Sequence, residues 1–195
     1  MAAERIINVC RNISGTGEFT VIVPGKAKSA ASMICFGASK IIMSSISELG
    51  PIDPQEYFIE NSKLKHFSVY NIIQSYDILF EKATKAEGNL EPFLLQLKNY
   101  DEKDIAEYRM QMDLAEDIAI RVLESGMMDG ISKEEITKRI AVFLTPKQTK
   151  THGRPIYADE AIRCGLNVEK VSLKTEFWST VYELYIIVSL ESLFK

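Results

Sequence analysis

Two short apolar runs, FTVIV (19–23) and KIIM (40–43), flank a stretch of small and apolar residues at helical spacing, AASMICFGA (30–38). Nothing else in the chain limits the fold as much. Apolar runs this short and this continuous suit strands buried on both faces, as in a parallel sheet. Residues 3–12 add a helix ahead of the first run, with Ile6, Ile7, Val9 and Cys10 on one face. Helix, strand, helix, strand within 45 residues is α/β grammar.

Beyond this unit the pattern changes. Residues 44–65 read as irregular, with Gly50-Pro51 and Asp53-Pro54 as turn punctuation. Helices then dominate: His66–Lys85, Glu91–Asn99 and Glu102–Glu124. The last sets Ile105, Met112, Ala115, Ala119 and Val122 on one stripe amid charge. Ser132 with Glu135 reads as a capping box opening a helix to Leu144, which Thr145-Pro146 stops. The basic loop PKQTKTHGRP follows, then a short helix ending at Gly165, a strand at NVEKV and an apolar helix over 177–194.

A chain of 195 residues, 46% of them hydrophobic, can bury a core as one domain over 1–195. Lys and Arg number 23 against 27 Asp and Glu, a net charge of −4 that argues against nucleic acid as a partner. Cys10, Cys35 and Cys164, odd in number and far apart, read as reduced thiols of a cytoplasmic protein. With only His66 and His152 beside them, no metal or other cofactor is expected. Met1 runs straight into charged residues, unlike a signal peptide, and Glu183 and Glu191 interrupt 177–194 as a membrane span.

The chemistry is expected at the turn before residues 30–38. AKSAASM (27–33) sets Ser29 where a strand gives way to a helix, with Ala27, Ala30 and Ala31 around it. Such turns gather backbone N–H donors that can hold a developing oxyanion. The plainer alternative is that Ser29 caps the helix.

The run VPGKAKSAASMICFGASKIIMSSISELGPIDPQ (23–55) resembles the signature of the serine dehydrogenase proteinase family. Those proteins are similar to signal peptide peptidase A and, more distantly, to the Clp proteolytic subunit and the crotonases. A second stretch, HGRPIYADEAIRCGLNVEKV (152–171), resembles the family's later segment. The resemblance implies a Clp protease/crotonase-like ββα superhelix, helix-rich, and a serine peptidase acting on peptide or protein substrates. It also implies a homo-oligomer, a trimer or stacked trimers, either cytoplasmic or peripherally membrane-associated, with the C-terminal helix at subunit contacts. On its residues, this nearly all-apolar helix reads as an interface anchored by Trp178, the alternative being a helix packed wholly within its own subunit.

By the same resemblance, Ser29 is the nucleophile and the Ala30 N–H an oxyanion donor; Ser32, which the letters AASM also nominate, falls one turn into the helix. His152 stands where Clp-type domains carry the acid of their triad, and Asp53 where they carry the histidine. His152 is one candidate base. Lys82, with Lys85 beside it, is the alternative by analogy with signal peptide peptidase A, and His66 has no support. Lys28 reads as a surface charge, Glu48 as a turn or cap residue, and Lys147, Lys150 and Arg154 as a solvated loop. The family's P-G-G turn, source of a second oxyanion donor, does not occur in this sequence. Met1 falls where that turn ends, so the first strands are expected to be missing. A catalytically impaired member acting in assembly and a crotonase-like acyl-CoA enzyme stand as alternative readings.

Overall fold

The computed structural model describes residues 2–60, 62–145 and 153–193. The protein is mixed α/β and helix-rich, with short strands. Helix α1 (Ala2–Ser14) leads into strand β1 (Thr20–Val23), the two-residue β2 (Lys26–Ala27), helix α2 (Ala30–Gly37) and strand β3 (Lys40–Met43). β1 and β3 pair in parallel, Val21 against Ile41, and the late strand β7 (Val168–Lys170) pairs in parallel on the far side of β3. The sheet order is therefore β1-β3-β7. Ile41 and Met43 are fully buried, as apolar runs without polar alternation lead one to expect.

α2 lies against α1. Ile7 fits over Gly37, where a Cβ would meet the isoleucine's Cγ2 at 2.5 Å, so only glycine allows this approach. α1 buries Ala3 and Ile7, while Ile6 and Val9 face outward, a narrower buried face than its apolar residues imply. Arg11 donates to Gly37 O at 3.1 Å, Val122 O at 3.0 Å and Ser125 Oγ at 2.8 Å.

Residues 44–65 are more ordered than their sequence reads. They hold β4 (Glu48–Leu49), parallel to β2, and β5 (Gln55–Glu60), which forms a hairpin with β6 (Lys63–Ser68). Leu49 also exchanges both backbone bonds with Ile156. The hairpin exposes Tyr57, Ile59, Leu64 and Phe67, so no buried face imposes an apolar-polar alternation on its letters. It claims the residues through Ser68, and α3 (Val69–Lys85) starts after them, not at His66. There Val69 N–H donates to Pro54 O at 3.0 Å.

Helices α4 (Glu91–Leu97) and α5 (Glu102–Glu124) follow. α5 buries Ile105, Ala115, Ala119 and Val122 as its stripe predicts, with Met112 only half-buried. The expected helix to Leu144 breaks at Ile140 into α6 (Lys133–Arg139) and α7 (Ala141–Leu144). Its capping box is half made: Ser132 Oγ accepts from Glu135 N–H, while the Glu135 carboxylate turns to Arg139 at 2.8 Å. The break lets Phe143 meet Phe36 edge-on, ring centres 5.0 Å apart. Helix α8 (Ala158–Arg163) precedes β7, and α9 (Glu176–Leu193) closes the described chain.

α9 departs from expectation. A helix this apolar should be buried on several sides, yet over 176–191 only Trp178 is buried, at 2% exposed, within its own chain. Trp178 is therefore a core residue of this chain and not an anchor for another. Among the described residues no helix is long and apolar enough to cross a membrane.

Candidate functional site

α2 opens on a backbone that no ordinary helix cap adopts. Ser29 has φ 52° and ψ −118°, a region that L-residues with a Cβ avoid. Holding a non-glycine residue in such a region costs about 1–3 kcal/mol, and residues of this kind concentrate at functional sites. The conformation is tied from outside, by Ser29 N–H donating to Pro51 O at 3.1 Å. Ser29 makes no side-chain cap bond, which removes the reason serines usually occupy helix starts. One residue on, the Ala30 N–H belongs to the unpaired first turn and has no acceptor among the described residues. Ala30 and Ala31 are both exposed, leaving the approach open.

Ser32 is a different kind of serine. It is fully buried, with Oγ at 2.6 Å from Ala27 O and 2.8 Å from Gly50 O, while accepting from Gly50 N–H at 3.0 Å. Its single proton is shared between the two carbonyls and one lone pair takes the Gly50 N–H, so it ties the elbow to the β4 turn. A nucleophile needs reach and a free hydroxyl; Ser32 has neither.

Lys28 is not the surface charge its position implies. Its side chain, 23% exposed, sets Nζ 3.1 Å from Glu48 Oε1 and 3.1 Å from Leu49 O. It also lies 3.3 Å from Arg154 O and 3.4 Å from Gly153 O. Glu48, expected as a turn or cap residue, is instead a β4 residue whose carboxylate receives Lys28, with Lys26 farther off at 4.0 Å. Arg154 places its guanidinium on Glu160 at 3.1 Å, so it is paired and not merely solvated. Asp53, 1% exposed, accepts from Gln55 Nε2 at 2.8 Å.

The candidate bases fall in different places. His152, with Lys147 and Lys150, lies outside the described residues, but Gly153 and Arg154, which follow it, are the segment Lys28 holds. Lys82 is exposed in an open groove of about 780 Å³ between α3 and α4, lined also by Ser75, Gln96 and Tyr100. It sits 13 residues beyond Val69, about 20 Å along α3 at roughly 1.5 Å per residue. Lys85 pairs with Glu81 on the same helix. His66 is exposed on β6 opposite Tyr57. Among the described residues no hydrogen bond links Lys82, Lys85 or His66 to Ser29, and no cluster of metal-ligating side chains occurs.

Burial pushes the Cys35 thiol up to about 12 and, with the charge of Glu160 adding to it, the Cys164 thiol to about 11. Neither is a nucleophile near neutral pH. No known protein family, curated protein or solved structure matches the chain. The sequence had no means of showing the Lys28 contacts, whose partners come from 20 to 126 positions away; the one local sign was a lysine directly before the serine.

Proposed function

We propose that the chain is a serine hydrolase of the serine dehydrogenase proteinase type, with a Clp protease/crotonase-like fold, cleaving peptide-like acyl substrates. One observation carries the reading: Ser29 holds a strained, uncapped backbone at the start of α2, with the Ala30 N–H left unpaired beside it. A sharp strand-to-helix elbow of this kind lifts a serine Oγ clear of the sheet and presents the following N–H to the oxyanion. Ser29 attacks the acyl carbon, the Ala30 N–H receives the negative oxygen, and His152 takes the serine proton. The meeting of the two resembling stretches supports this, since β3 of the first pairs with β7 of the second and Leu49 bonds to Ile156. Lys82 recedes as a base because the groove it lines is built from α3, α4 and their neighbours and holds no residue of the Ser29 elbow.

A second reading is a catalytically impaired member kept for assembly, in the cytoplasm or on a membrane surface. A site served by the Ala30 N–H alone would lack a second oxyanion donor, and loss of one such donor costs about 10²–10³ in rate. The exposed apolar face of α9 favours a homo-oligomer under either reading. No comparable feature favours an acyl-CoA enzyme.

Labelling with a fluorophosphonate decides between them. Wild type and Ser32→Ala are expected to label, and Ser29→Ala to remain unlabelled. The rate should rise with pH through a pKa of about 6.5, the ordinary histidine value, and vanish in His152→Ala while Lys82→Met matches wild type. Labelling that survives Ser29→Ala and disappears in Ser32→Ala removes the assignment. A wild type that never labels selects the assembly reading.

A further inference from the structure

The strain at Ser29 needs something to hold it, because a lone serine relaxes out of such a backbone unless its surroundings over-determine it. One restraint is the bond from Ser29 N–H to Pro51 O. The other lies one residue back. Lys28 commits its carbonyl to Ala31 N–H at 3.0 Å and its ammonium to Glu48, Leu49 O, Gly153 O and Arg154 O. An ammonium has only three protons, so these four acceptors share them, and none of the shared bonds survives a rotation of the Lys28 backbone. The stem runs over Gly50, where a Cβ would lie 2.2 Å from Lys28 Cδ. Gly50 thus leaves the stem its channel, and its own N–H and carbonyl belong to Ser32.

We propose that Lys28 is a positioning residue that locks the Ser29 elbow to the Gly153–Ile156 segment through one ammonium, so that order in that segment and strain at Ser29 rise and fall together. The proposal deepens the hydrolase reading, in which the segment follows directly on the candidate base. It also explains why a charged side chain is three-quarters buried beside a turn of small residues. Glu48 and two backbone carbonyls from a distant part of the chain supply the negative field that keeps it there. A neutral side chain of equal length fills the same channel but leaves the carboxylate and the carbonyls without a donor.

The test is hydrogen exchange of the full chain, read at the amides of Ser29 and Ile156 and, as a reference, in α5. Lys28→Met is expected to speed exchange at both amides by about tenfold or more, since bonds to charged groups outweigh neutral ones, while α5 keeps its wild-type rates. Gly50→Ala, which keeps the ammonium but obstructs its stem, should move the same two amides, and Lys28→Arg should restore part of the protection. Unchanged exchange at Ser29 and Ile156 in Lys28→Met overturns the proposal, as does a rise spread equally over α5. Should Lys28→Met not fold, Gly50→Ala alone decides by the same criterion. Fluorophosphonate labelling is measured in parallel. A wild type that does not label ends the hydrolase reading and leaves exchange to judge the lock. A labelled wild type matched by an equally fast Lys28→Met overturns the lock and leaves the hydrolase.

Discussion

α2 and α9 are both apolar helices, and the molecule treats them in opposite ways. α2 buries Ser32, Met33, Cys35, Phe36 and Gly37 in eight residues, and even its buried serine both donates and accepts. α9 runs for 18 residues and buries Trp178, while Phe177, Leu184, Ile187, Val188 and Leu190 stand about half-exposed or more. The cover for α2 comes from its own chain, with Ile7 above Gly37 and Phe143 against Phe36. Further along α9, Tyr185 lies beside Gly25, where a Cβ would meet its Oη at 3.2 Å, while most of the described apolar side chains stay uncovered. Apolar letters thus specify that a helix needs cover, not where the cover comes from.

The comparison breaks most readily at Trp178, an α9 residue that behaves like α2. Trp178→Ala should lower stability by about 3–5 kcal/mol, the range for truncating a buried aromatic, with the sedimentation coefficient of the folded protein unchanged. Because Trp178 Nε1 is buried with no partner among the described residues, Trp178→Phe should cost much less in the same denaturant titration. Cys35 sharpens the α2 side. Its folded pKa lies above the ordinary 9.0, near 12, so its contribution is complete below pH 9 and lost as pH rises toward 12. Cys35→Ala should flatten that alkaline loss, and iodoacetamide at pH 8 should spare Cys35 until the chain unfolds. Ser32→Ala should cost about 1–3 kcal/mol by leaving the Gly50 N–H unpaired in a buried site. Smallest in stability is the pair Leu184→Lys and Ile187→Lys, expected within about 0.5 kcal/mol of wild type. In sedimentation the same pair should shift an oligomer toward monomer; a shift caused by Trp178→Ala instead would reverse the roles of the two ends of α9.

Much of the frame was legible because its residues carry one message each. Ile41 and Met43 sit in a run too apolar for an exposed strand, and α5 announces itself from Glu102 to Glu124 by a stripe that the fold largely keeps. The β5–β6 hairpin was illegible because Tyr57, Ile59 and Leu64 point into open space, leaving no period to read. At the site, the letters gave a serine at a turn but not its angles. One bond on the Ser29 backbone at φ 52° comes from Pro51, 22 positions away. The standing of Lys28 likewise depends on Glu48, Leu49 and Arg154, which only the folded chain brings to it.

Arg11 has a consequence for the order in which the molecule is completed. Its three acceptors lie 26, 111 and 114 positions further along the chain, and they include the carbonyl ends of both α2 and α5. As the chain emerges from its N-terminus, α1 meets α2 after a short loop closure, but the guanidinium holds one bond of three until α5 is made. The end of α2 that faces the start of β3 therefore stays open until the C-terminal end of α5 has been made. The Ser29 end waits longer still, because Gly153 and Arg154 arrive after α5. The two ends of one eight-residue helix are finished by different, and successive, parts of the chain.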